Sequence, residues 1–112
     1  MDAQLKKGML PYCVLLLIRK DNLYGYDIVK IIQKYFANTE ESTIYAILRR
    51  LCNEGYTDSY IGTESFGPQR KYYRINEKGD ELLNSYEQSW QEIVAIIANI
   101  NNVEDKIVSN DL

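Results

Sequence analysis

Toward its end the chain places Leu83, Tyr86, Trp90, Ile93, Ile97 and Ile100 at alternating steps of three and four residues. That spacing holds one apolar stripe along a helix, which is the seam of a coiled coil. Asn76 supplies a side-chain oxygen at the front of the run, so a long helix is expected over residues 77–101. A chain of 112 residues has room for one core, and that core cannot cover so long a stripe. The pattern therefore predicts a homodimer, with Tyr86, Trp90, Ile93, Ile97 and Ile100 at its interface. Residues 102–112 are polar and acidic and are expected to form a disordered tail.

Ahead of that helix the punctuation is regular. Apolar residues at helical spacing predict a first helix over residues 5–20, kinked or delayed by Pro11 and closed by the turn pair Asp21-Asn22. Tyr24-Gly25-Tyr26 leads into Ile28, Val29, Ile31, Ile32, Tyr35 and Phe36, the face of a second helix ending near Ala37. Asn38-Thr39, followed by Glu40-Glu41, is expected to cap a third helix that runs to Glu54, with Gly55 as its left-handed terminator. Two runs rich in Tyr, Thr and Ile, residues 56–63 and 71–75, predict a hairpin around Gly67-Pro68. The expected class is mainly α with a small β-hairpin. The order of elements is that of a winged helix-turn-helix domain over residues 1–76, followed by a C-terminal dimerisation helix over 77–101.

Much chemistry is excluded by what the chain lacks. There is no histidine, no phosphate-cradling glycine loop, and no cysteine with a neighbouring base, so an enzyme is not expected. Cys13 and Cys52 are far apart and have no partners for a metal site; both are expected to be buried, reduced thiols, and no cofactor or metal is expected. No run is long enough to cross a bilayer and no leader is visible, so the expected location is cytoplasmic, away from membranes. Taken by itself, the net charge of −3 disfavours a nucleic-acid partner. Its distribution reverses that impression: residues 79–112 hold one of the 13 basic side chains and seven of the 16 acidic ones. The body before them is weakly basic.

In the third helix, Ile44, Ile47, Leu48 and Leu51 define an inward face, which turns Ser42, Tyr45, Ala46, Arg49 and Asn53 outward, flanked by Thr43 and Arg50. Small hydroxyl residues at a helix start can meet phosphates, and Tyr and Arg one turn later can reach base edges. This is the chemistry of a recognition helix in the major groove, although the same pattern also suits a solvated face that binds nothing. The hairpin favours the first reading. Gln69, Arg70, Lys71 and Arg74 bring cations to a tight loop, as a wing gripping phosphate or entering the minor groove would. Strand alternation places Tyr73 and Ile75 on one side with Lys71, and leaves open whether Tyr72 or Tyr73 is core. A winged-helix module that binds a protein through the same surfaces is the alternative to a DNA regulator.

The segments Tyr24-Gly25-Tyr26-Asp27-Ile28, Ser42-Thr43-Ile44-Tyr45-Ala46-Ile47-Leu48-Arg49-Arg50-Leu51 and Glu54-Gly55 resemble the signature of the PadR family of bacterial winged-helix regulators. So does the run from Gly67-Pro68-Gln69-Arg70-Lys71 through Tyr72-Tyr73-Arg74-Ile75-Asn76 to Glu77-Lys78-Gly79. The resemblance implies a dimer joined through the last and first helices, seated on a pseudo-palindromic double-stranded DNA operator, repressing until a small molecule relieves it. It implies a DNA-contacting set of Tyr24, Tyr26, Ser42, Thr43, Tyr45, Arg49, Arg70 and Lys71. Two positions depart from the family pattern: Ala46 stands where Pro is usual and Ser42 where Gly is frequent. The single C-terminal helix is similar to that of the small subgroup containing multidrug-binding repressors. On that likeness, Trp90 and its symmetry mate would stack a planar aromatic or cationic ligand, with Glu87, Leu83, Tyr12 and Leu16 as neighbours. Trp90 as plain dimer core is the competing expectation.

Overall fold

The computed structural model describes residues 1–62 and 67–103. Its elements run α1 (Ala3–Lys20), β1 (Leu23–Tyr24), α2 (Gly25–Tyr35), α3 (Glu41–Asn53), β2 (Thr57–Gly62), β3 (Arg70–Ile75) and α4 (Glu77–Asn101). The protein is mostly helical with a small antiparallel sheet, as the sequence predicts. The expected strand end at Thr63 and the expected tail from residue 104 onward lie outside the described residues.

Asp2 starts α1 two residues earlier than its apolar pattern suggests, because its carboxylate accepts the N–H groups of Gln4 and Leu5 at 3.0 and 3.1 Å. Pro11 does not end the helix. It removes one donor, and the turn survives because Pro11 is buried with Leu10, Val14, Leu15 and Ile18 on the face that enters the core. These residues meet Ile28, Val29 and Ile32 of α2, Ile44, Leu48 and Leu51 of α3, and Tyr73 of β3 in one cluster.

The start of α3 corrects the expected cap. Glu40 is the capping residue and its side chain makes no cap bond. Thr39 is buried, and its hydroxyl instead donates to the Phe36 carbonyl at 2.7 Å, closing the end of α2. Asn38 adopts a positive φ of 65°, which turns the chain between the two helices. The other end follows expectation. Gly55 has φ +86°, and the N–H groups of Gly55 and Tyr56 donate to Cys52 and Leu51 carbonyls.

A strand that the sequence reading lacks completes the sheet. Two-residue β1 pairs with β3, giving the order β1-β3-β2 with both pairings antiparallel. Leu23–Tyr24 is too short for alternation to reveal it. Tyr73 is 6% exposed and faces the core, whereas Tyr72 lies on the outer face. The thiols also differ from expectation. Cys13 and Cys52 are free but only half-buried, since each sits on the margin of its helix's core face.

Asn76 begins α4 as expected, its side-chain oxygen accepting the Gly79 N–H at 2.9 Å. Its amide donates to the Gly55 carbonyl at 2.9 Å, tying the end of α3 to the start of α4. Gly79 is required there: a Cβ would collide with the Tyr56 carbonyl oxygen and with Ile75. Leu83 is fully buried, so it belongs to the chain's own core and not to an open seam. From Gln88 onward every described residue of α4 is exposed.

Candidate nucleic-acid interface

The exposed side of α3 carries Ser42, Thr43, Ala46, Arg49 and Arg50. The Thr43 N–H donates to the Glu40 carbonyl at 3.1 Å, so what Thr43 offers outward is its hydroxyl rather than its amide. Tyr45, expected outward, is half-buried. Its ring packs over Gly25, where a Cβ would lie 3.4 Å from both the Tyr45 and Tyr73 rings. Gly25 thus lets α2, α3 and β3 close around two phenols. Burial pushes the Tyr45 hydroxyl above its ordinary pKa, and the nearby Glu41, Tyr24 and Tyr26 add to the shift.

Tyr73 gathers cations from two elements. Its pKa is also raised, first by burial and then by Cys52 and Tyr45, while Arg49 acts in the opposite sense. Lys71 holds its Nζ 5.6 Å from the centre of the same ring. Arg49 of α3 and Lys71 of the wing therefore both lie beside Tyr73, on one side of the sheet. Arg70 stands on the other side, its guanidinium 4.8 Å from the centre of the Tyr24 ring. Tyr24 and Tyr26 have ring centres 6.2 Å apart.

Six of the eight residues expected to contact DNA thus fall into two neighbouring groups: Tyr45, Arg49 and Lys71 around Tyr73, and Tyr24, Tyr26 and Arg70 at the sheet edge, with Tyr45 near both. Ser42 and Thr43 lie one turn earlier on α3. Thr43, Ala46 and Arg50 also border a groove of about 700 Å³ whose far wall includes Lys6, Lys7 and Leu10 of α1. Lys30 is a cation that reading the sequence misses. It lies on the turn after Tyr26 with Nζ 4.9 Å from that ring's centre, and the four-residue helical step was the available signal.

The residues expected around a ligand do not converge within one chain. Tyr12 stacks on Tyr86 with ring centres 5.7 Å apart. Burial raises the Tyr12 pKa, and Glu87 adds to it. Glu87 is already paired with Arg19 at 3.0 Å. Leu16 lines a separate groove of about 400 Å³ with Cys13, Ile31, Tyr35 and Phe36, between α1 and α2. Leu83 is closed inside the core, where no ligand reaches it. Trp90 is 45% exposed on α4.

Comparison with known proteins agrees with this architecture. Residues 14–85 match the model of the transcriptional regulator PadR-like family. An uncharacterised protein of Lysinibacillus sphaericus is 35% identical over 94 residues, covering 81% of this chain and 86% of that protein. The negative transcriptional regulator PadR of Bacillus subtilis is 28% identical over 81 residues, covering 70% of this chain and 44% of its own length. Among solved structures, a PadR-like transcriptional regulator from Bacillus cereus superposes with a TM-score of 0.80 at 34% identity, covering 91% of this chain and all of that one. A PadR-like transcription factor from Bacteroides fragilis gives 0.74 at 35% identity, covering 88% and 95%. No described helix is long and apolar enough to cross a membrane. With a family match over most of its length and the winged-helix fold beneath it, the chain belongs to the PadR-like family of DNA-binding transcriptional regulators, not to a family of enzymes.

Proposed function

We propose that this regulator is a repressor that binds a pseudo-palindromic operator as a homodimer and is released by a small planar ligand. The observation that carries the DNA half is that Arg49 and Lys71 each lie beside Tyr73. One cation comes from the recognition helix and one from the wing, so major-groove reading and phosphate grip are delivered from a single rigid unit. Tyr45 joins that group, Tyr24 and Tyr26 carry it around the sheet edge to Arg70 on the other face, and Ser42 and Thr43 add hydroxyls at the start of α3. Repression is supported by the likeness to the negative regulator of B. subtilis.

Residues 1–76 form the DNA-binding unit and α4 supplies the pairing surface. Ile93, Ile97 and Ile100 are 47 to 64% exposed, an apolar load that a second copy would cover. Pairing would also set the spacing of two recognition helices on successive turns of DNA. The effector stacks on Trp90 and its symmetry mate, with Tyr12, Glu87 and Leu16 nearby and Leu83 withdrawn from the set. A cationic ligand competes with Arg19 for Glu87. Trp90 is the one tryptophan, so quenching of intrinsic fluorescence by planar dyes reports on this site alone; no quenching by any dye would remove the ligand from the reading.

The first test is an electrophoretic titration against DNA upstream of the protein's own gene, at low and high salt, beside scrambled DNA. Selective binding that weakens steeply with salt is expected, and Arg49→Ala should cost about 2 kcal/mol while the dimer persists. Binding insensitive to salt and sequence would point to a winged helix that recognises protein.

A further inference from the structure

The outer face of the sheet carries a row of rings of which the DNA-contacting set above uses only one end, Tyr24 and Tyr26. Register places Tyr24, Tyr72 and Tyr60 directly opposite one another across β1, β3 and β2. Their ring centres are 6.1 Å apart for Tyr24 and Tyr72, and 5.5 Å for the stacked pair Tyr60 and Tyr72. Tyr26 continues the row onto α2. Each end is covered by a cation: Lys30 lies over Tyr26, and the Arg74 guanidinium sits 5.3 Å from the centre of Tyr60.

Cross-strand aromatic pairing alone would stabilise the sheet, and a row of leucines would do that as well. The choice of phenols and cations is what needs another explanation. Asp58, opposite Arg74 in the register, is the one acidic side chain on the described strands; it accepts from the Asn76 amide at 3.5 Å and stands against three cations, Lys30, Arg70 and Arg74. The face therefore has a positive balance. A guanidinium laid over a ring presents its N–H groups around its edge, the geometry that phosphate oxygens take. The row also begins at Tyr24 and Tyr26, the residues that border the recognition helix through Tyr45.

We propose that Arg74, Tyr60 and Tyr72, with Lys30, hold the sugar-phosphate backbone of duplex DNA flanking the operator core. This rests on the DNA-binding reading and adds a second contact zone to it. The outer sheet face carries no base readout. It lengthens the footprint and raises affinity without changing sequence preference, because phosphate contacts position and do not specify.

The test uses two duplexes that share the operator core defined by footprinting of the wild type. One ends at the core, and the other continues for one helical turn on each side. The wild type should bind the longer duplex more tightly and with a steeper salt slope. Arg74→Ala should lose about threefold to tenfold on the longer duplex and lower the salt slope there by about one, with a smaller loss on the short duplex. Arg74→Glu should lose more, and because Arg74 is exposed both variants should fold. If both bind both duplexes like the wild type while Arg49→Ala loses core binding, the outer face is a structural cover and the proposal is overturned. If the wild type itself does not select an operator, the DNA-binding reading falls first and this one falls with it.

Discussion

The two halves of α4 are one continuous helix with opposite fates. Its first two turns are fixed from several sides: Asn76 caps them, Gly79 fits against the Tyr56 carbonyl, and Leu83 is fully buried. Beyond Gln88 the residues are no less apolar, yet Ile93, Val94, Ile96, Ile97 and Ile100 all stand about half exposed or more. Helix propensity and periodicity do not distinguish the halves. What differs is whether the chain has anything left to pack on them, so the first half reports on the fold and the second on assembly.

Substitutions can break that contrast. The largest effect is expected from Ile93→Asp combined with Ile97→Asp, which should abolish dimerisation in sedimentation and weaken operator binding, with the body's near-native circular dichroism retained. A dimer that survived would mean that the pairing surface lies elsewhere. Leu83→Ala should do the reverse, lowering stability by about 3 kcal/mol through an unfilled core site. Denaturant titration at several protein concentrations separates the two, since core loss persists at any concentration.

Smaller effects sharpen the contrast further. Tyr73 carries a raised pKa, so its neutral form is favoured on folding, and that contribution is complete below the ordinary tyrosine value of 10.0. It is lost as pH rises through the higher folded value. Tm should therefore fall more steeply above pH 10 in the wild type than in Tyr73→Phe, and equal slopes would mean that the phenol ionises alike in the folded and unfolded chain. Least of all should come from Glu87→Gln. The Arg19–Glu87 pair joins α1 to α4 at 3.0 Å, but both side chains are more than a third exposed. Its loss should cost under about 0.5 kcal/mol and vanish in high salt.

These contrasts also mark how far sequence reasoning reached. Long elements were legible because their apolar residues repeat many times: α2, α3 and α4 each declare a face over three or more turns. Caps were harder. Thr39 looks like an N-cap for α3, and in the fold its hydroxyl turns back to the Phe36 carbonyl, since either bond satisfies a hydroxyl and only the path of the chain selects one. The pair Leu23–Tyr24 became a strand because β3 runs alongside it, a cause with no local signature. At the interface, residue types such as Arg49, Arg70 and Lys71 could be nominated from composition and spacing. That Arg70 and Lys71 fall on opposite faces follows from strand alternation, but what each face borders does not. In the expected ligand set, the burial of Leu83 in the core and the pairing of Glu87 with Arg19 were likewise not legible in the sequence.

By itself the sequence determined the helices, the hairpin, the basic wing and the surplus apolar stripe, all properties of periodicity and residue type that act within a few turns of chain. Tertiary structure alone decided that Tyr73 is core and Tyr72 is not, that Arg49 and Lys71 both lie beside Tyr73, and that Tyr24, Tyr72 and Tyr60 form one row. Those pairings join residues up to 48 positions apart, from Tyr24 to Tyr72. Their energy comes from contacts that exist only once three strands are in register, and no local window of sequence contains them.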